Sequence, residues 1–269
     1  ILVKNILIIS SKKYTKLKTY TDLINLIKSK GLTFETSHVE DKNHIYEDYI
    51  NEETLVASFG GDGTALKAMK IAWNNNLIFM PLGTGRVGYL VNKSEEIDDV
   101  LSSWIKDKNT IVSRSAVIQD SNIELPAFNE VVVIKNSPTR ILDMVFRTYN
   151  QTVKLRADGI IISTSLGSTA YNYSAGGPIV QNSLESIIVT PISPFSKFPR
   201  SIVLHKESDI EIEIKKKQNY AIQFDGVVES EEQIDNDKIF KYSLSGKTLN
   251  IIGTENSPRL DLFLNQILR

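Results

Sequence analysis

The stretch "LVASFGGDGTALKAMKIAW", Leu55 to Trp73, constrains this chain more than any other. Leu55, Val56, Ala57 and Phe59 make an apolar run of strand length. From Thr64 on, Ala65, Leu66, Ala68, Met69, Ala72 and Trp73 recur at helical spacing. A strand that passes through glycines straight into a helix is the unit of a parallel α/β sheet. Amides at Gly61, Gly63 and Thr64, beside a helix N-terminus, can hold phosphate oxygens. Asp62 would repel those phosphates unless a divalent cation screens it or it faces a second substrate. Facing a hydroxyl, it could accept the proton during in-line phosphoryl transfer. Two plainer readings compete: Asp62 as a helix cap, and a helix start that is merely glycine-rich. A dinucleotide fingerprint fails, because Leu66 stands at its third small position. "SGKT" at 245–248 is no Walker loop, because Lys241 stands where that motif's first glycine belongs.

Val3 to Ser10 reads as a strand, and Thr15 to Lys30 as a helix carrying Leu17, Leu23, Ile24 and Ile27, with Gly31 as its stop. A strand in "LIFMPL" and a helix within 94–108 continue the alternation. After about Thr110 the texture changes to short β-branched segments such as "VVVIK", "TVKLR" and "DIEIEIK". The last alternates strictly, as a strand with one wet face does. The expectation is an α/β N-terminal domain with a parallel sheet over 1–109 and a β-rich, sandwich-like domain over 110–252. In the tail from 253 to 269, Leu260, Leu262, Phe263 and Ile267 predict a helix packing back on the first domain.

The 269 residues, 41% of them hydrophobic, suffice for two cores. A formal net charge of -1 gives no case for nucleic acid or an anionic membrane. Zero cysteines removes disulfides and thiolate chemistry, and three scattered histidines do not suggest a zinc site. No apolar stretch approaches the ~20 residues of a membrane span. The opening "ILVKNILIIS" suits a buried strand better than a signal peptide. A soluble, cytoplasmic protein is expected.

"GGDGT" is shared by the NAD kinases, the diacylglycerol and sphingosine lipid kinases and, loosely, the phosphofructokinases. Further segments choose among them. "AFNEVVV" (127–133) resembles the Asn-Glu motif of NAD kinases, and "ADGIIISTSLGSTAYNYSAGGPIV" (157–180) is similar to their long glycine-rich signature. "GTGRVGYL" (83–90) and "TPISPFSKFPRSIV" (190–203) resemble two more segments of that family, and all fall in order.

The resemblance implies phosphorylation of the 2′-hydroxyl of the adenosine ribose of NAD, giving NADP, at a cleft between two domains. Asp62 would be the proton acceptor, on the loop of Gly60, Gly61, Gly63 and Thr64. Asn129 and Glu130 would bind the adenosine part, and Asp158 the nicotinamide nucleotide. Thr169, Ala170, Tyr171, Asn172, Tyr173 and Ser174 would line the NAD site. Lys67, Arg140 and Arg156 match positions with basic or polar residues near the ligands, and Ser193 a small residue against them. Taken alone, Asn129 and Asp158 suit turns, the three cations suit a solvated surface, and Ser193 suits a polar turn.

The resemblance also implies ATP as donor, with polyphosphate an open alternative, a Mg²⁺ requirement and a homodimer or homotetramer. Departures stand at Gly83, Arg86, Ser165, Leu166, Phe195 and Val227, where the family usually has Asn, His, Pro, a polar residue, His and Gln. Leu166 and Val227 cannot make their counterparts' side-chain hydrogen bonds. A lipid kinase with GGDGT, and a nucleotide sensor without turnover, remain as alternatives.

Overall fold

The computed structural model describes residues 5–41, 47–84, 90, 97–106, 110–195, 197–234 and 236–253. The chain divides into two compact units, residues 1–114 with 248–269, and residues 115–247.

The first unit runs β1 (Asn5–Ser10), α1 (Lys18–Ser29), β2 (Thr33–His38), β3 (Thr54–Gly60), α2 (Asp62–Asn74), β4 (Ile78–Gly83), α3 (Ile97–Ile105) and β5 (Thr110–Arg114). β1 pairs in parallel with β2 on one side and β3 on the other, and β4 pairs in parallel with β3. β3 is buried along its whole length. A parallel strand covered on both faces has to be apolar throughout, which is why the sequence shows a run there and not an alternation. α1 buries Leu23 and Ile27 against the sheet core. It ends in a Schellman turn: Gly31 has φ 71° and donates to the Lys28 carbonyl, and Leu32 donates to that of Ile27.

The second unit is built from β6 (Val117–Gln119), β7 (Asn122–Ala127), β8 (Glu130–Lys135), β9 (Leu142–Thr148), β10 (Gln151–Ala157), β11 (Gly159–Thr164), the short helix α4 (Tyr171–Ser174), β12 (Ser186–Ile192), β13 (Ile202–His205), β14 (Ile210–Ile214), β15 (Gln218–Phe224), β16 (Val227–Ile234) and β17 (Lys238–Leu244). These form two antiparallel sheets, ordered β10-β9-β14-β17-β6-β7 and β13-β12-β11-β8-β15-β16. One core holds both faces together: Ile210, Ile212 and Phe146 from the first sheet meet Val131, Ile160 and Ile222 from the second. Tyr220 and Phe240 pack edge to face across it, with ring centroids 5.9 Å apart. In "DIEIEIK" the isoleucines turn inward as expected, but the other face is not fully wet: Glu213 is buried, in ion pairs with Arg147 and Lys215. The architecture is an α/β unit with a mostly parallel sheet and a β sandwich.

β18 (Leu249–Gly253) rejoins the first sheet, parallel to β4 and antiparallel to β5, giving the order β2-β1-β3-β4-β18-β5. Sequence texture assigned β5 and β18 to the β-rich region over 110–252. Their β-branched composition is that of any strand, and only their pairing reveals which sheet they join. Gly253 ends β18, and the rest of the tail, 254–269, where a helix was expected, lies outside the described residues, as does Arg86. No helix among the described residues is long and apolar enough to cross a membrane.

Candidate functional site

In the first unit, β3 ends at Gly60, and Gly61 in extended backbone (φ -93°, ψ -175°) is the N-cap of α2. Asp62 is therefore the first helical residue, one place too late to cap. One carboxylate oxygen accepts the Leu90 N–H at 3.0 Å, and its charge complements the positive end of the helix. The glycines differ in purpose. A Cβ at Gly60 would lie 2.5 Å from the Thr64 hydroxyl, so that glycine is required by the fold. A Cβ at Gly61 or Gly63 would meet no atom of the described residues within 4 Å. Among the described residues nothing fills the space above those two, as a backbone that a ligand approaches closely requires.

The Thr64 N–H already donates to the Gly61 carbonyl at 3.0 Å. Of the three amides expected to meet phosphate, the case then rests on Gly61 and Gly63. Lys67, on the exposed side of α2, reaches the Val39 carbonyl at 3.4 Å. It borders a groove of about 640 Å³ at the C-terminal ends of β1 and β2, together with Ile9, Ser37, His38 and Lys70.

In the second unit, residues 128–130 form a turn whose backbone is held from two sides. Asp225 accepts the N–H of Asn129 at 2.7 Å and of Glu130 at 3.3 Å on one oxygen, and that of Phe128 at 3.0 Å on the other. Its own N–H donates to the Glu130 carbonyl at 3.0 Å. From the opposite side the Thr164 hydroxyl donates to the Phe128 carbonyl at 2.6 Å. The Thr164 N–H and the Ser163 hydroxyl donate to the Asn129 carbonyl, at 2.9 and 3.1 Å. Gly167 lies so close that a Cβ there would overlap the Asn129 carbonyl oxygen.

With its backbone committed, the turn presents the side chains of Asn129 and Glu130. Glu130 is only 6% exposed, and Oε2 has no hydrogen-bond partner among the described residues. Burial first, and then the negative charge of Asp225, push its carboxyl up to about 8, against the Tyr171 N–H, which favours the charged form. A buried polar atom without a partner is costly, and a ligand hydroxyl or amine would supply the missing bond.

The glycine-rich signature supplies the rest of this cluster. Thr169 closes a 3-10 turn over Leu166–Thr169, and Ala170 follows with its N–H on the Gly167 carbonyl at 2.9 Å. Tyr171, Tyr173 and Ser174 are exposed on α4. Asn172 is fully buried, and its side chain donates to the Ser168 and Pro178 carbonyls and accepts the Thr190 hydroxyl proton. It shapes the loop and offers no side-chain atom to a ligand. Ser165 stitches the loop through Leu184 and Ser186.

Other expected residues gather at the opposite end of β11. Glu130 pairs with Ser163 near one end of that strand, whereas Asp158 precedes the other and forms an ion pair with Lys135 at 2.7 Å. Arg156 pairs with Asp143 at 2.7 Å and stacks over the exposed Phe195 ring. Ser193 takes a left-handed turn, φ 46°, after β12, and Arg140 is exposed between β8 and β9. The structure thus brings Asn129, Glu130 and the Thr169–Tyr171 segment together and sets Asp158, Arg156, Ser193 and Arg140 apart from them. Asp225, Thr164 and Gly167 were missed by sequence reasoning. Nothing local in the sequence marks the Asp225 carboxylate as the anchor of residues 128–130.

The chain is 34% identical over 202 residues to the NAD kinase of Methanothermobacter thermautotrophicus, an alignment that covers 73% of this chain and 71% of that one. The chain belongs to the NAD kinase family. Residues 128–252 match the model of the ATP-NAD kinase C-terminal domain. It is also 34% identical over 229 residues to the bifunctional NADP phosphatase/NAD kinase of Methanocaldococcus jannaschii, covering 77% of this chain but only 40% of that longer protein.

Two solved structures share the fold. An NAD kinase from Archaeoglobus fulgidus in complex with ATP superposes with a TM-score of 0.78 at 23% identity, over 97% of this chain and 98% of that one. The yeast NADH kinase complexed with NADH gives 0.80 at 19% identity, over 100% and 88%. This family member therefore keeps the family's fold.

Proposed function

We propose that this chain transfers the γ-phosphoryl group of ATP to the 2′-hydroxyl of the adenosine ribose of NAD, giving NADP and ADP. The observation that carries the reading is Asp62, at the first turn of α2 between two glycines whose missing Cβ would meet no atom of the described residues. A ribose hydroxyl is a weak acid, so Asp62 takes its proton late, as the new O–P bond forms and the bond to the ADP oxygen breaks. Asn129 and Glu130 bind the adenosine, and the open backbone at Gly61 and Gly63 meets phosphate oxygens.

A Mg²⁺ would be carried mainly by phosphate oxygens, with Asp62 as the nearby carboxylate. When bound, the cation neutralises charge on the transferring phosphate. We assign the chain to the cytoplasm and to a homodimer or homotetramer, in keeping with its family, and sedimentation would test the assembly.

The test of the reaction is incubation of purified protein with NAD, ATP and Mg²⁺, the product being located by ³¹P NMR. A phosphate on the 2′-oxygen of the adenosine ribose is expected. Phosphorylation of diacylglycerol instead, or NAD binding with no product from either ATP or polyphosphate, would replace this reading with the lipid-kinase or the sensor alternative.

A further inference from the structure

We propose that Asp225 is a positioning residue of the nucleotide site: it holds the Phe128–Glu130 backbone in the geometry that presents Asn129 and Glu130 to the ligand. The proposal rests on the NAD-binding reading above. Its basis is the number and kind of bonds that converge on one side chain. Asp225 takes three successive main-chain N–H groups, at 3.0, 2.7 and 3.3 Å, and returns its own N–H to the same turn at 3.0 Å. Bonds from N–H groups to a charged acceptor are about twice as strong as neutral ones. Adjacent amides that converge on one anion also form a nest whose geometry the anion dictates.

The placement of Asp225 is itself enforced. Phe224 pairs with Val227, which leaves Asp225-Gly226 as a two-residue hairpin turn with φ 50° and 77°. Both values suit a type I′ turn, where Asp and Gly are favoured. The carboxylate therefore sits on a tight hairpin turn and reaches across to β8. A turn that merely joined β7 to β8 would not need a carboxylate, and water could serve its amides. What the carboxylate adds is a fixed direction for two side chains, one of which carries a buried oxygen with no partner among the described residues.

Asp225 acts on Glu130 in a second way. Among the described residues it is the charged side chain that acts on the Glu130 carboxyl, whose other influences are burial and the Tyr171 N–H of α4. Its negative charge helps keep Glu130 protonated at neutral pH, so that Glu130 can donate a hydrogen bond as well as accept one. Shape and protonation state are thus set by the same group.

Asp225→Asn separates these effects from general stability, because Asn also tolerates φ near 50°. Its oxygen can keep the Asn129 and Glu130 amides, but its NH₂ group then faces the Phe128 N–H as donor against donor. We expect KM for NAD to rise about tenfold with kcat changed less than about threefold. The Glu130 ionisation, followed by ¹³C carboxyl NMR on folded protein without NAD, should move from about 8 to lower pH.

Thr164→Val loosens the turn from its other side without removing a charge. It should raise KM similarly and leave the Glu130 ionisation in place, and it decides the matter if Asp225→Asn does not fold. A folded Asp225→Asn protein with unchanged KM and unchanged Glu130 ionisation overturns the proposal, as does a fall in melting temperature alone. If the wild type neither binds NAD nor makes NADP, the nucleotide reading fails, while the Glu130 titration still reports whether Asp225 governs that turn.

Discussion

The backbone around Asp62 is left open, whereas the backbone around Asn129 is pinned from two sides. Gly61 and Gly63 face space that no described residue fills, and beside them the Asp62 carboxylate accepts the Leu90 amide. Phe128, Asn129 and Glu130 give up their N–H groups to one carboxylate, and three bonds from Ser163 and Thr164 hold the carbonyls of Phe128 and Asn129. The difference follows from what each segment offers. Where the main chain itself has to meet a ligand, its N–H groups and the space above them must stay available. Where side chains do the reading, the main chain is spent on holding them still.

The sharpest way to break this contrast is to add one methyl group to each segment. Gly167→Ala drives a Cβ into the Asn129 carbonyl oxygen. Because backbone would have to move, a loss of about 3 kcal/mol is expected, toward the upper end of overpacking costs, read as a lower midpoint in urea. Unchanged stability would mean that the turn is looser than its hydrogen bonds imply.

A somewhat smaller effect concerns Glu130. Its carboxyl is raised from 4.5 in the ordinary state to about 8 in the fold, so the folded chain holds a proton that the unfolded chain releases. This contribution to stability is fully present below about 4.5 and is lost as pH rises toward about 8. Glu130→Gln should flatten the stability profile across that window by roughly 1–3 kcal/mol relative to wild type. Parallel profiles for the two proteins would show that Glu130 ionises normally.

The smallest expected change in stability is the most informative about the open loop. Gly63 lies in the first turn of α2, so Gly63→Ala should be neutral or stabilising by up to about 1 kcal/mol. Turnover should nevertheless fall, because the methyl group occupies space assigned to phosphate. A Gly63→Ala protein that is as active as wild type would mean that nothing approaches the backbone there.

The two segments also differ in how far the sequence reveals them. The Asp62 loop is local: an apolar strand, three glycines and a helical pattern lie within about twenty residues, and each is legible by its own rule. The sandwich was legible in "DIEIEIK" for the same reason. The anchor of the second segment was not. Asp225 meets Asn129 across 96 residues of chain, and only the pairing of β8 with β15 brings them together. Asn172 shows the converse dependence on the fold. Its place within the glycine-rich signature suggests a ligand contact, but complete burial and three internal hydrogen bonds become visible only in the fold. β5 and β18 likewise needed their hydrogen-bonded partners before either could be assigned to a sheet.

The central claim is that Asp62 takes the proton of the accepting hydroxyl while the Asn129–Glu130 turn only holds the nucleotide. Its most direct test compares NADP formation and NAD binding in wild type and Asp62→Asn under saturating ATP and Mg²⁺. The account predicts a fall in turnover of about 10²–10⁴-fold with NAD affinity changed little. An Asp62→Asn protein that turns over at the wild-type rate, or one that loses NAD binding and turnover in equal measure, would contradict it.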